Sequence, residues 1–169
     1  MKPPPLPSEI LRRVLRVATF DGTCVLVIAA AGALISASWR DVTGAAVGLL
    51  VAGAASMELH GAGVLRAGDE RGMRWLVSSQ LCIMASILGY VGVRLANPDI
   101  ASLRKFVTPE MADQIQQAGM TVDQFLTELP RIFAFAVAVA TIVFQGAMAV
   151  YYLRKAPAVA EALREDCET

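Results

Sequence analysis

The chain has 169 residues, of which 56% are hydrophobic and only 18% charged, and its 15 basic and 15 acidic side chains cancel. A soluble domain of this length carries about 25% charge, so the composition points to a membrane protein. Zero net charge also gives no sign of a nucleic-acid partner. The length allows one domain, and four apolar runs of about 20 residues, at 17–37, 42–65, 75–96 and 132–153, occupy most of it. The predicted fold class is all-α: a polytopic four-helix transmembrane bundle with a small helical extramembrane loop over 97–131.

The N-terminal stretch has Pro3, Pro4, Pro5 and Pro7, which make a stiff extended tail. Ser8 follows as a cap candidate. Apolar and basic positions then alternate at helical spacing to Arg16, which predicts a lead-in along the membrane surface. The first apolar run is too long for a signal-peptide core and contains Asp21, so it reads as a retained first span.

Span 2 shows a ridge at four-residue spacing: Gly44, Gly48, Ala52, Ser56 and His60. Gly44 and Gly48 form a GxxxG pair that permits close approach of helices in lipid. The ridge predicts His60 in a tight helix contact and span 2 at the centre of the bundle. The short loop after it, 66–75, contains Arg66, Arg71, Arg74 and a Trp75 interface anchor, and joins spans 2 and 3 as a helical hairpin. It reads either as a charged turn or as an arginine cluster for a lipid phosphate or a gate.

Span 3 shows small residues at alternating three and four spacing, Ser79, Cys82, Ser86, Gly89 and Val93, which predicts a packing seam. Leu26, Ile28, Leu34, Leu49, Leu50, Ile83, Ile87, Phe133, Phe135 and Phe144 read as lipid or subunit contacts. Asn97 and Pro98 stop span 3. In the loop beyond, Thr108, Pro109 and Glu110 form a helix start, Gly119 a stop and Thr121 a second start, with Pro130 placed before span 4. Ile100, Leu103, Phe106, Ile115, Phe125 and Leu129 should turn toward the bundle or the membrane. Glu110, Asp113, Asp123 and Glu128 are available to attract cations if the loop covers a pore. Span 4 has the seam Ala134, Ala138, Thr141, Gln145, Met148 and Tyr152.

The basic residues set the orientation. Lys2, Arg12, Arg13, Arg16, Arg66, Arg71, Arg74, Arg154, Lys155 and Arg164 fall on the side of the termini, against Arg40, Arg94, Arg104, Lys105 and Arg131 on the other. The positive-inside rule then puts both termini in the cytoplasm of a cell (inner) membrane.

The intramembrane polar residues gather at one depth. Asp21, Glu58, His60, Gln80 and Gln145 all lie roughly 5–12 Å from the cytoplasmic end of their spans at 1.5 Å per residue. An ionisable group there costs several kcal/mol unless paired or wetted. The cluster reads as a structural clasp, completed by Tyr151, Tyr152 and an arginine such as Arg66 or Arg74, or as a transport or ligand site. Small residues near the outer face and bulky ones near the inner face predict a cytoplasm-facing cleft. Glu58 and His60, two positions apart on a helix, point to opposite faces, so no metal site is expected.

Cys24, Cys82 and Cys167 form no paired motif and read as small apolar filler in helix contacts. No phosphate loop, nucleophile elbow, HExxH or nucleotide loop occurs, and no cofactor is implied. Three functions stay open. One is a homo-oligomeric channel or transporter for a cation, a proton or a small solute. Another is an accessory or assembly module that binds a partner protein or lipid. The weakest is an enzyme acting on lipid or quinone. The partners expected are the bilayer, further copies of the chain and an anionic lipid.

Overall fold

A computed structural model describes residues 6–97, 100–105 and 107–167, and all its regular secondary structure is helical. The six helices are α1 (Pro7–Ser38), α2 (Val42–Arg66), α3 (Gly72–Ala96), α4 (Ile100–Arg104), α5 (Pro109–Gln117) and α6 (Val122–Cys167). Four of these, α1, α2, α3 and α6, are long and apolar enough to cross a membrane. They form an all-α four-helix bundle. α2 packs on α1 and α3, and α6 closes the ring against the same two helices. α2 therefore shares the ring equally with the others and is not a central helix. The tail before Leu6, and Phe106 and Pro98 in the loop, lie outside the described residues.

The helix ends show how local chemistry sets the frame. α1 begins with Pro7 in its first turn, where a missing N–H costs nothing, and Leu6 rather than Ser8 takes the cap position. The helix then runs unbroken for 32 residues. The basic lead-in is thus part of α1, and its Val14 is fully buried against the bundle instead of lying along a membrane surface. Asp41 caps α2 by accepting from the Gly44 N–H at 3.1 Å, and its other oxygen pairs with Arg94 near the end of α3. Arg94 also donates to the Tyr90 hydroxyl at 3.0 Å. One side chain so ties the α1–α2 turn to the far end of α3.

In the loop, Thr108 caps α5 at 3.3 Å with Pro109 behind it, and Gly119 adopts φ of 77° where the chain reverses. Thr121 and Gln124 form a reciprocal capping box, at 3.2 and 3.0 Å, that starts α6. The helix that Thr121 starts does not stop at Pro130, which the sequence placed ahead of span 4. It continues for 46 residues through Pro130 and Pro157. At 1.5 Å per residue that is about 69 Å, more than twice the hydrocarbon layer, so α6 extends beyond the layer. α4 and α5 rest on α6. Ile115 is buried and Phe125 partly so, while Leu103 and Leu129 stay exposed.

Close approach is concentrated at Gly44, where a Cβ would lie 2.7 Å from the Ser36 Oγ of α1, at Gly48 and at the Gly61–Gly72 contact. A Cβ on Gly48 would lie 2.8–2.9 Å from Ala33 of α1, and one on Gly61 would lie 2.8 Å from the Trp75 Cβ and 3.0 Å from the Gly72 carbonyl oxygen. The GxxxG reading thus holds for both Gly44 and Gly48, which face Ser36 and Ala33 of α1. It fails further down the ridge, where Ser56 and His60 are exposed. Four residues turn a helix by about 400°, so a ridge at that spacing drifts about 40° per step and crosses from one face to another over four steps. Gly48→Leu is expected to lower stability by about 1–3 kcal/mol through overpacking, more than Gly53→Leu, whose site is open. Thermal unfolding in detergent will measure the difference.

The seam predicted on α3 is displaced. Cys82, Gly89 and Val93 are exposed, and the buried face is Met73, Leu76, Ser79, Gln80, Ile83 and Val91. Ile83, expected at lipid or a subunit contact, is instead core against Ala29 of α1 and Val51 and Ala54 of α2, and Ile87 packs beside it. Cys82 points outward, not into a helix contact, and Cys24 is half-buried. The α6 seam stands as expected, with Thr141, Gln145 and Tyr152 buried. Ile28, Leu34, Leu49, Leu50, Phe133, Phe135 and Phe144 are exposed on the outside of the bundle.

Candidate functional site: a polar layer between two apolar layers

Each of α1, α2 and α3 repeats one pattern along its inward face. An apolar group comes first from the end bearing the termini, then a polar one, then a second apolar group. On α1 the order is Val14 and Ala18, Asp21, then Val25 and Ala29. On α2, read backwards, it is Leu65 and Ala62, Glu58, then Ala54 and Val51. On α3 it is Met73 and Leu76, Gln80, then Ile83 and Ile87. α6 brings Tyr152 to the same layer and buries Gln145 two turns before it. These steps match because antiparallel neighbours rise equally per residue. The result is a polar layer enclosed on both sides. The termini-side end is plugged by Val14, Leu65, Met73, Leu76, Val159 and Leu163, so the expected cytoplasm-facing cleft is absent among the described residues.

Within the layer, two hydrogen bonds join helices that stand diagonally across the ring. The Tyr152 hydroxyl donates to Glu58 Oε1 at 2.7 Å, linking α6 to α2. Gln80 Nε2 donates to Asp21 Oδ2 at 3.3 Å, linking α3 to α1. Asp21 and Glu58 lie within electrostatic reach of each other, with the Gln80 amide beside both. Glu58, Gln80 and Tyr152 are fully buried, and Asp21 is half-buried. Tyr151 stacks edge-on to Tyr152, with ring centroids 5.6 Å apart.

The layer is rich in acceptors. Glu58 Oε2, Gln80 Oε1 and Gln145 Oε1 are buried oxygens with no hydrogen-bond partner, as is the Tyr151 hydroxyl. A buried unsatisfied polar atom costs about 1–3 kcal/mol. Gln80 Oε1 and Gln145 Oε1 can only accept, while Glu58 Oε2 accepts when ionised and donates when protonated, so what would satisfy the group is a donor, a positive charge or a proton on the carboxyl.

Of the residues singled out in the sequence, the structure brings Asp21, Glu58, Gln80 and Tyr152 together, with Tyr151 against Tyr152 and Gln145 buried on α6, and sets His60 and the arginines apart from them. His60 is exposed and meets the Trp75 ring edge-on at 5.1 Å, outside the layer. No group of three or more His, Cys, Asp or Glu side chains suited to a metal ion occurs among the described residues. No arginine pairs with Asp21 or Glu58 among the described residues. Arg66, expected in such a clasp, donates to Thr19 Oγ1 at 2.7 Å on the outside of α1. The Arg71 and Arg74 side chains are exposed. At the start of α6, Asp123 is held by Arg104 at 2.6 Å and Glu128 by Arg131 at 3.1 Å, which leaves less acidity to attract cations. The enclosing apolar layers were the part missed. Their signal was present in the spacing of Val14, Ala18 and Asp21, but only the partner helices show that these positions face one another.

Fold and site together define a four-helix chain with membrane-crossing dimensions and an internal carboxyl-containing layer. No protein-family model, no curated protein and no solved structure matches it.

Proposed function

We propose that the protein is an ion channel or transporter of a cell membrane, in which the Asp21–Glu58 layer binds a proton or a small cation on its way through the bundle. The observation that supports this best is the excess of buried acceptor oxygens around two carboxyls in one enclosed layer. Such a layer favours a positively charged guest. Because these groups face the interior of a single bundle, self-association would join copies through the exposed apolar faces and leave one ion site per chain. The excess of basic residues beside the termini supports an orientation with both ends in the cytoplasm.

Reconstituted protein should pass protons, Na⁺ or K⁺ across proteoliposomes faster than empty vesicles. Glu58→Gln and Asp21→Asn should each reduce that flux at least about tenfold while keeping the elution profile, as expected when a charge-assisted contact worth about 1.4 kcal/mol or more is lost. Absence of wild-type flux for all three ions would defeat this reading.

A second reading, an accessory or assembly module, is favoured by the two apolar layers that close the polar one. The carboxyls then serve as a clasp that holds four helices in register for a partner protein or lipid. A co-purifying partner lost on Glu58→Gln, with no flux in the wild type, would support it.

A further inference from the structure

Outside the bundle, where α1 meets the end of α2, lies an open groove of about 700 Å³. Its walls include Arg12, Arg16, Thr19, Phe20 and Cys24 of α1 and Arg66 of α2. The α1 members recur at three- and four-residue steps, so they form one stripe along the helix. Arg66 reaches across from α2 and is fixed by its bond to Thr19 Oγ1. No acidic side chain lines the groove, and none of its three arginines belongs to an ion pair among the described residues.

Charge and apolarity are separated along this groove. The guanidiniums sit where the apolar runs end, at the depth of a headgroup region. Phe20, 73% exposed, and Cys24 lie one and two turns further into the apolar zone. We infer that the groove is a binding site for an anionic phospholipid, with its phosphate among Arg12, Arg16 and Arg66 and an acyl chain along Phe20 and Cys24. Planar guanidiniums match phosphate oxygens in a forked geometry. Three positive charges also disfavour the quaternary ammonium of a zwitterionic headgroup, while the apolar wall beyond them has no use for a free phosphate ion. The groove is separate from the carboxyl layer, so the site stands whether or not the bundle conducts ions.

The test uses the full chain in detergent micelles doped with phosphatidylglycerol or phosphatidylcholine, read by native mass spectrometry. Phosphatidylglycerol should be retained in preference to phosphatidylcholine. Arg12 and Arg16 are exposed, so the R12Q/R16Q variant keeps the Arg66–Thr19 bond and the helix contact. It should lose that retention by about fivefold for each arginine removed. R71Q/R74Q, altered outside the groove, should bind as the wild type does. Equal retention of the two lipids, unchanged binding by R12Q/R16Q, or an equal loss in R71Q/R74Q would overturn the site. Displacement of phosphatidylglycerol by millimolar inorganic phosphate would reassign the groove to a free anion and overturn the lipid.

Discussion

Tyr152→Phe is expected to destabilise the bundle by about 1–3 kcal/mol, whereas Tyr152→Phe combined with Glu58→Met should be about as stable as the wild type. The asymmetry follows from burial. Glu58 and Tyr152 are both inaccessible to solvent, and the Tyr152 hydroxyl is the one donor within 2.7 Å of Glu58 Oε1. Removing the hydroxyl leaves a second orphaned carboxyl oxygen beside Oε2, which already has no partner. Removing both partners, with an apolar side chain of similar length in place of Glu58, removes the desolvation cost as well. Thermal unfolding of the four members of this double-mutant cycle, in one detergent, measures the coupling. A double variant that is stable but passes no ions would mean that the layer is kept for conduction. A double variant that falls apart would favour the clasp.

Leu76→Ala should have the larger structural effect, a loss of about 2–5 kcal/mol for a fully buried leucine in a packed core. Leu76 lies in the apolar layer between Gln80 and the termini-side end of the bundle, packed with Val14, Leu65 and Met73. Its truncation opens a cavity directly below the carboxyls. Water entering from that end would meet polar partners in Glu58 Oε2 and Gln80 Oε1. Labelling of Glu58 by a water-soluble carbodiimide, read by peptide mass spectrometry, should therefore rise severalfold over the wild type. Leu81→Ala, on the exposed side of α3, should change neither stability nor labelling by a comparable amount. Unchanged labelling in Leu76→Ala would show that this layer does not control access.

These two variants separate what the polar layer contributes from what encloses it. The carboxyls, the tyrosine and the glutamines form a contiguous unit, so single substitutions there will not add. The apolar layers act through packing alone, and their loss should track side-chain volume. A channel reading needs both parts: a site that binds a cation and a barrier that yields during passage.

The number of spans and the ends of α2 and the far end of α3 were legible in the chain itself, whereas the full lengths of α1 and α6 were not. Apolar length is a one-dimensional property, and so is distance from a helix end. The Thr108 and Thr121 caps and the turn at Gly119 were legible for the same reason, since the groups involved lie within a few residues. The α6 seam was also legible, because bulky and polar members, Gln145 and Tyr152, mark it among small residues.

What faces what was decided only by the fold. A four-residue ridge drifts around its helix, so Gly48 meets α1 while His60 ends outside the bundle beside Trp75. A seam of small residues on α3 lost to Leu76 and Ile83, because Leu76 fills the space among α1, α2 and α6 and Ile83 the space between α1 and α2. Arg66 settled on Thr19 rather than on a carboxylate because it leaves the end of α2 on the outer side. Sequence alone determined that costly groups share one level of four apolar helices. The tertiary structure decided that they meet across both diagonals and are enclosed by apolar layers, because rotation of a helix about its axis is set by its neighbours and not by its own composition.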